Sequence, residues 1–161
     1  MSPARPSPGR TPYTALPGAA ALDGVSVLIV EDEFIIAEYA KDVLTGCAAE
    51  VAVATDVAEA RAIVDSHPRI DAAVLNVKLA DRVSYSLAER LIEARIPFAF
   101  ASGFDHLKLR ADGFGSVAWL PKPYTPQKLL TMVAGLIGKR SRRRPPNPAW
   151  TGGIAPNIVS V

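Results

Sequence analysis

The sequence predicts an α/β fold: a doubly wound, five-stranded parallel sheet of strand order 2-1-3-4-5, with helices on both faces and a fourth helix that is short or missing. Three observations lead there. Short continuous apolar runs alternate with segments whose apolar residues recur at helical spacing, the pattern of strands buried on both faces and amphipathic helices. The connections between them are short, which implies crossovers and therefore parallel strands. The stretch 103–115 carries Gly103, Gly113 and Gly115, with Leu107 and Leu109 as its clear aliphatic anchors, too little to order a full helix.

Residues 25–30 form the first apolar run. Residues 33–45 then place Ile36, Ala40, Val43, Leu44 and Cys47 at helical spacing, with Gly46 as a C-cap. Residues 50–54 read as a weaker second strand. Asp56 can cap a second helix that carries Ala60, Ile63 and Val64 and stops before Pro68. Residues 72–77 are the third strand, and 84–94 the third helix, with Leu87, Leu91 and Ile92 inward. The fourth strand is 97–102 (PFAFAS) and the fifth 116–120. Thr125 caps the last helix, with Pro126 in its first turn and Leu129, Leu130, Val133, Leu136 and Ile137 on its apolar side.

The 161 residues suffice for one domain, placed at 23–138. Residues 1–22 hold five prolines without periodicity and read as a disordered leader, although their acid-free, Arg- and Ser-containing composition is also that of a transit peptide. Residues 139–161 read as a basic, Pro- and Gly-rich disordered tail. The net charge of +2 hides an asymmetry. The leader carries two arginines, and the tail carries Lys139, Arg140, Arg142, Arg143 and Arg144, with no acids in either. Removing those seven charges leaves −5 on the domain. No apolar run approaches the roughly 20 residues of a membrane span. The single Cys47 reads as a small core residue and implies no oxidising compartment, so the expected location is the cytoplasm. His67 and His106 lack metal-site spacing and read as surface or loop residues.

Polar residues follow directly on the strand ends: Glu31 and Asp32 after the first, Asn76 at the third, Ser102 at the fourth and Lys122 after the fifth. Parallel strands bring such tips together, where sheets of this kind bind ligands. Two carboxylates and an amide oxygen are hard donors suited to Mg²⁺. A lysine and a small hydroxyl beside them can hold phosphoryl oxygens.

With VLIVEDE, the strand ending at Asn76, FASG with Ser102, and LPKPY with Lys122, each in order and each at a strand end, residues 24–138 resemble the receiver domain of two-component response regulators, a flavodoxin/CheY-like fold. The stretch PFAFASGF is similar to a receiver variant named for a Phe-Ala-Thr-Gly-hydrophobic-aromatic motif, with Ser102 in place of Thr. Those receivers tend to lack a well-formed fourth helix. The resemblance implies that Glu31, Asp32, Asn76 and the backbone carbonyl of Lys78 surround a magnesium ion. It implies that Ser102 and Lys122 contact a phosphoryl group, that Trp119 is the switch aromatic, and that the Lys122–Pro123 bond is cis. It also implies a phosphorelay role with a histidine kinase or another signalling protein as partner.

Asn76 stands where the family carries the phosphoaccepting aspartate. A carboxamide has no anionic oxygen to attack phosphorus, so an acyl phosphate is not expected there. It also takes one negative charge from the metal site, so Mg²⁺ would bind more weakly, and Lys122 would turn toward Glu31 or Asp32. Ser102 in place of Thr points to a general drift from the phosphorylating pattern, which favours Asn76 as a native feature over an introduced one. Three functions follow from these residues. The first is an atypical, non-enzymatic receiver that works by binding partners. The second is a phosphorylatable receiver, either with an aspartate natively at position 76 or using another carboxylate such as Asp81. The third is a binder of anionic partners, nucleic acid being the less expected, through residues 139–144.

Overall fold

In a computed structural model, which describes residues 12–67, 69–79, 82–103 and 106–141, the strands are β1 (Ser26–Val30), β2 (Glu50–Ala54), β3 (Ala72–Asn76), β4 (Phe98–Ser102) and β5 (Ala118–Pro121). They form one parallel sheet in the order β2-β1-β3-β4-β5, as the alternating pattern predicts. Helices α1 (Phe34–Thr45), α2 (Val57–Ser66), α3 (Tyr85–Glu93), α4 (His106–Leu109) and α5 (Pro126–Ser141) connect or follow them. Lys78–Leu79 and Arg82–Val83 pair as a small antiparallel ladder behind β3.

Alternation along each strand divides the core into two layers. Val27, Ile29, Val74, Ala99 and Leu120 face α1 and α5, while Leu28, Val30, Leu75, Phe98 and Phe100 face α2, α3 and the α4 region. The starts of α2 and α5 obey capping chemistry. Asp56 accepts the Glu59 N–H at 2.8 Å, and Thr125 accepts the Lys128 N–H at 3.2 Å. The fourth helix is short, as expected: four residues, then a wide turn at Arg110–Phe114 in which Gly113 takes φ 93°. Leu109 anchors it, joined by the buried Phe114, an anchor that the aliphatic count passed over.

Three expectations are corrected. The body starts well before residue 23. Ala19–Leu22 forms a 3₁₀ turn, Ala19 and Leu22 are buried, and Tyr13 and Leu16 pack on the same core layer. A single turn has no periodicity to detect; its stability comes from the surface of α5. Gly18 sits there at φ 86°, and a Cβ on it would come within 2.9 Å of the Leu130 carbonyl oxygen. Gly46 is the C-cap of α1, as expected, at an ordinary φ of −59°, and the left-handed residue lies beyond it at Ala48, φ 62°. Ile92 is 55% exposed, because Leu87, Ala88 and Leu91 already define the inward face of α3. Helix α5 runs to Ser141, three residues past the expected end.

Candidate functional site

The sheet register sets the site. Val30 pairs with both Ala54 and Leu75, Asn76 with Ala101, and Ser102 with Pro121. The tips of β1, β3, β4 and β5 therefore lie level; Glu31, Asn76 and Lys122 meet there through their side chains, and Ser102 joins Lys122 through the backbone. Each strand ends where its run ends, so the chain delivers Glu31, Asn76, Ser102 and Lys122 to one edge.

Glu31 is the centre of the cluster and is only 3% exposed. One carboxylate oxygen, Oε2, pairs with Lys122 Nζ at 2.5 Å. The other, Oε1, accepts Asn76 Nδ2–H at 2.9 Å and the Glu33 N–H at 3.2 Å. Asn76 Nδ2 also donates to Asp32 Oδ1 at 3.2 Å. The amide therefore presents its nitrogen, not its oxygen, to the acids. Carboxylates only accept, so the reverse orientation would set Oδ1 against two anions. Beside the carboxylates thus stands the amide nitrogen rather than the oxygen expected of Asn76. The turn of Lys122 toward Glu31 is as anticipated. Such a paired, hydrogen-bonded arrangement is what allows a carboxylate to be buried; removal of one partner costs about 3–5 kcal/mol in comparable settings.

The resemblance implies magnesium, and the donor set does not fit it as arranged. An N–H donor and an ammonium group approach the carboxylate oxygens that a dication would need. Among the described residues no group of three or more His, Cys, Asp or Glu is placed to hold a metal. Lys78, whose carbonyl was the further expected donor, lies in the short ladder paired with Val83, its side chain exposed.

Ser102 is 1% exposed, and its carbonyl accepts the Lys122 N–H at 3.0 Å. The Lys122–Pro123 bond is cis. Trp119 pairs in register with Phe100 and packs on the second core layer. A groove of about 670 Å³ between β5 and α5 is lined by Trp119, Leu120, Thr131, Met132 and Leu136, apart from the acidic cluster. Asp81 and residues 142–161 lie outside the described residues, as does the side chain of His106. His67 Nδ1 accepts the Arg69 N–H at 3.2 Å, a local loop contact. Cys47 is buried, and burial pushes its thiol pKa up.

Sequence reasoning missed Ser84 as a site support. It is fully buried, its hydroxyl donates to the carbonyls of Asn76 (2.8 Å) and Val77 (3.1 Å), and its N–H donates to Val77 at 2.9 Å. The one signal for it is a small hydroxyl residue just before a helix.

Two tyrosines near the site hold their protons tightly. Burial, then the charge of Glu31, then Tyr39, push Tyr124 up to about 12. Burial, then the hydrogen bond to Asp112 and its charge, push Tyr85 up to about 12. An unfolded chain releases these protons near 10.0. The folded state thus binds them more tightly, and the associated stability is complete below pH 10 and lost as pH rises to about 12. Denaturation midpoints at stepped pH should fall across that window, and fall less in a Tyr85→Phe, Tyr124→Phe variant. An equal fall in the variant would contradict the assignment.

The family model of the response regulator receiver domain matches residues 27–134. Among solved structures, the chain is similar to a response regulator receiver protein from Sinorhizobium medicae, at 26% identity and a TM-score of 0.66, covering 74% of this chain and 98% of that one. The receiver domain of HemR from Leptospira biflexa matches at 26% identity and TM-score 0.60, covering 70% and 94%. A CheY-like receiver from Methanospirillum hungatei shares the fold at 22% identity and TM-score 0.67, covering 74% and 98%. No curated protein sequence matches the chain.

Proposed function

Since the chain belongs to the response regulator receiver domain family, we propose that it is a signalling module of two-component systems that acts through partner binding without phosphorylation at Asn76. One observation carries this reading. The residue at the phosphoacceptor position is a carboxamide whose N–H groups bridge Glu31 and Asp32. Phosphoryl transfer from a phosphohistidine needs an anionic oxygen in line with phosphorus, and the amide has none. Lys122, the residue that would meet a phosphoryl charge, is already paired with Glu31. Within the pocket Lys122 offsets the charge of Glu31, and the uncharged Asn76 amide holds Glu31 and Asp32 together by hydrogen bonds, so the chain itself supplies the contacts that set the pocket's conformation.

Magnesium would bind weakly in such a pocket, since entry of the ion requires the Asn76 amide to turn and the Lys122 pair to loosen. When bound, magnesium would supply charge neutralisation for phosphoryl transfer; here Lys122 offsets one carboxylate charge, and Asn76 contributes hydrogen bonds without charge.

The partner surface best supported lies beside the cluster. Phe34 and Ile35, on the first turn of α1, are 76% and 81% exposed and follow the exposed acids Asp32 and Glu33. Exposed apolar side chains rimmed by carboxylates suit an apolar helical surface flanked by cations, as a partner of the histidine-kinase class would offer. No helix among the described residues is long and apolar enough to cross a membrane. The test is phosphoryl transfer. Acetyl phosphate or a phosphorylated histidine kinase should leave the chain unlabelled, and a hydroxylamine-sensitive phosphoryl adduct would overturn the reading.

A further inference from the structure

We propose that Tyr85 is a latch that couples the loop behind Asn76 to the wide turn at Arg110–Phe114 and holds that turn closed against the start of α3. The inference does not depend on whether Asn76 accepts a phosphoryl group.

The turn needs a holder. Helix α4 has four residues, far too few to be stable alone, and the turn after it contains Gly113 in a left-handed conformation. Leu109 and Phe114 are buried beneath it, while Arg110, Ala111, Asp112 and Gly113 between them are exposed. Tyr85 closes this exposed side. Its hydroxyl donates to Asp112 Oδ2 at 2.6 Å, a short, charge-assisted bond. Its ring lies 4.7 Å from that of Phe114 and 6.2 Å from that of Phe100, and Phe100 packs edge-on against Phe114 at 5.5 Å. The phenol keeps its proton through neutral pH, so the donor is always present.

The other end of the latch reaches the acidic cluster. Tyr85 follows Ser84 directly, and Ser84 is tied by its hydroxyl to the carbonyl of Asn76 and by both hydroxyl and N–H to that of Val77. A shift of the β3 tip therefore moves Ser84, turns the first residue of α3, and strains or releases the bond to Asp112. Each step is a bonded or hydrogen-bonded neighbour, and the bond to Asp112 is the element with two arrangements, made or broken. A partner that grips the loop after Asn76 would bias the turn, and one that grips the turn would bias the loop.

The test is native-state amide exchange on the full chain, read as the ratio of rates at residues 110–115 to those at Ser26–Val30. Tyr85→Phe keeps the ring and its packing and removes only the hydroxyl, so folding is retained. It should raise the ratio about fivefold, as should Asp112→Ala, given the net worth of an exposed charge-assisted bond. The double variant should be no worse than either single one. Ser84→Ala should raise the same ratio, because the loop then no longer fixes Tyr85. An unchanged ratio in Tyr85→Phe, additive effects in the double variant, or an unchanged ratio in Ser84→Ala would each overturn the proposal.

Discussion

Asn76→Asp is expected to tighten magnesium binding by roughly tenfold or more and to make the chain accept a phosphoryl group from acetyl phosphate. The substitution exchanges a hydrogen-bond donor that bridges Glu31 and Asp32 for a third acid. An added unit charge beside a dication at an effective dielectric near ~20 is worth more than the ~1.4 kcal/mol that a factor of ten requires. Without metal the variant should be less stable than the parent chain by about 1–3 kcal/mol, because two carboxylates lose a donor and gain a like charge. Magnesium should restore that loss, since an ion that binds only the folded state stabilises it by mass action. Thermal denaturation with and without magnesium, run on both chains, measures each part. A variant that gains no stability from magnesium and takes no label would show that the pocket has lost more than its nucleophile.

Leu22→Ala should destabilise the chain by roughly 2–5 kcal/mol, the cost of emptying a fully buried leucine site. Leu22 is 0% exposed and packs in the layer that includes Val25, Val27, Leu129, Leu130 and Val133. A domain of this size has about 5–15 kcal/mol to lose, so the effect is large. It should appear as a lower denaturant midpoint with an unchanged slope. Were the segment before residue 23 an appended leader, the same change would cost within about 0.5 kcal/mol, as surface substitutions do.

That contrast explains what the sequence made legible. The sheet and its site were readable because each strand is an apolar run that stops at a polar residue. Glu31, Asn76, Ser102 and Lys122 mark strand tips by their position alone, and parallel pairing then gathers them. The Tyr13–Leu22 arm left no such signal, because its order comes from contact with α5 rather than from a repeating pattern. Ile92 looked inward on hydrophobicity, but a nine-residue helix buries only the face that Leu87, Ala88 and Leu91 share. The direction of the Asn76 amide was invisible for another reason. A sequence names a side chain but not which of its two ends meets a neighbour; the two facing carboxylates decide that. Tyr85 and Asp112 are 27 residues apart and join through a turn that carries no periodicity.

The central claim is that the carboxamide at position 76 makes this receiver independent of phosphorylation. The measurement that tests it most directly is the intact mass of the unmodified chain after incubation with acetyl phosphate and magnesium, alongside Asn76→Asp treated in the same way. The account predicts no added phosphoryl group on the unmodified chain and a hydroxylamine-sensitive one on the variant. A hydroxylamine-sensitive phosphoryl group on the unmodified chain would contradict it.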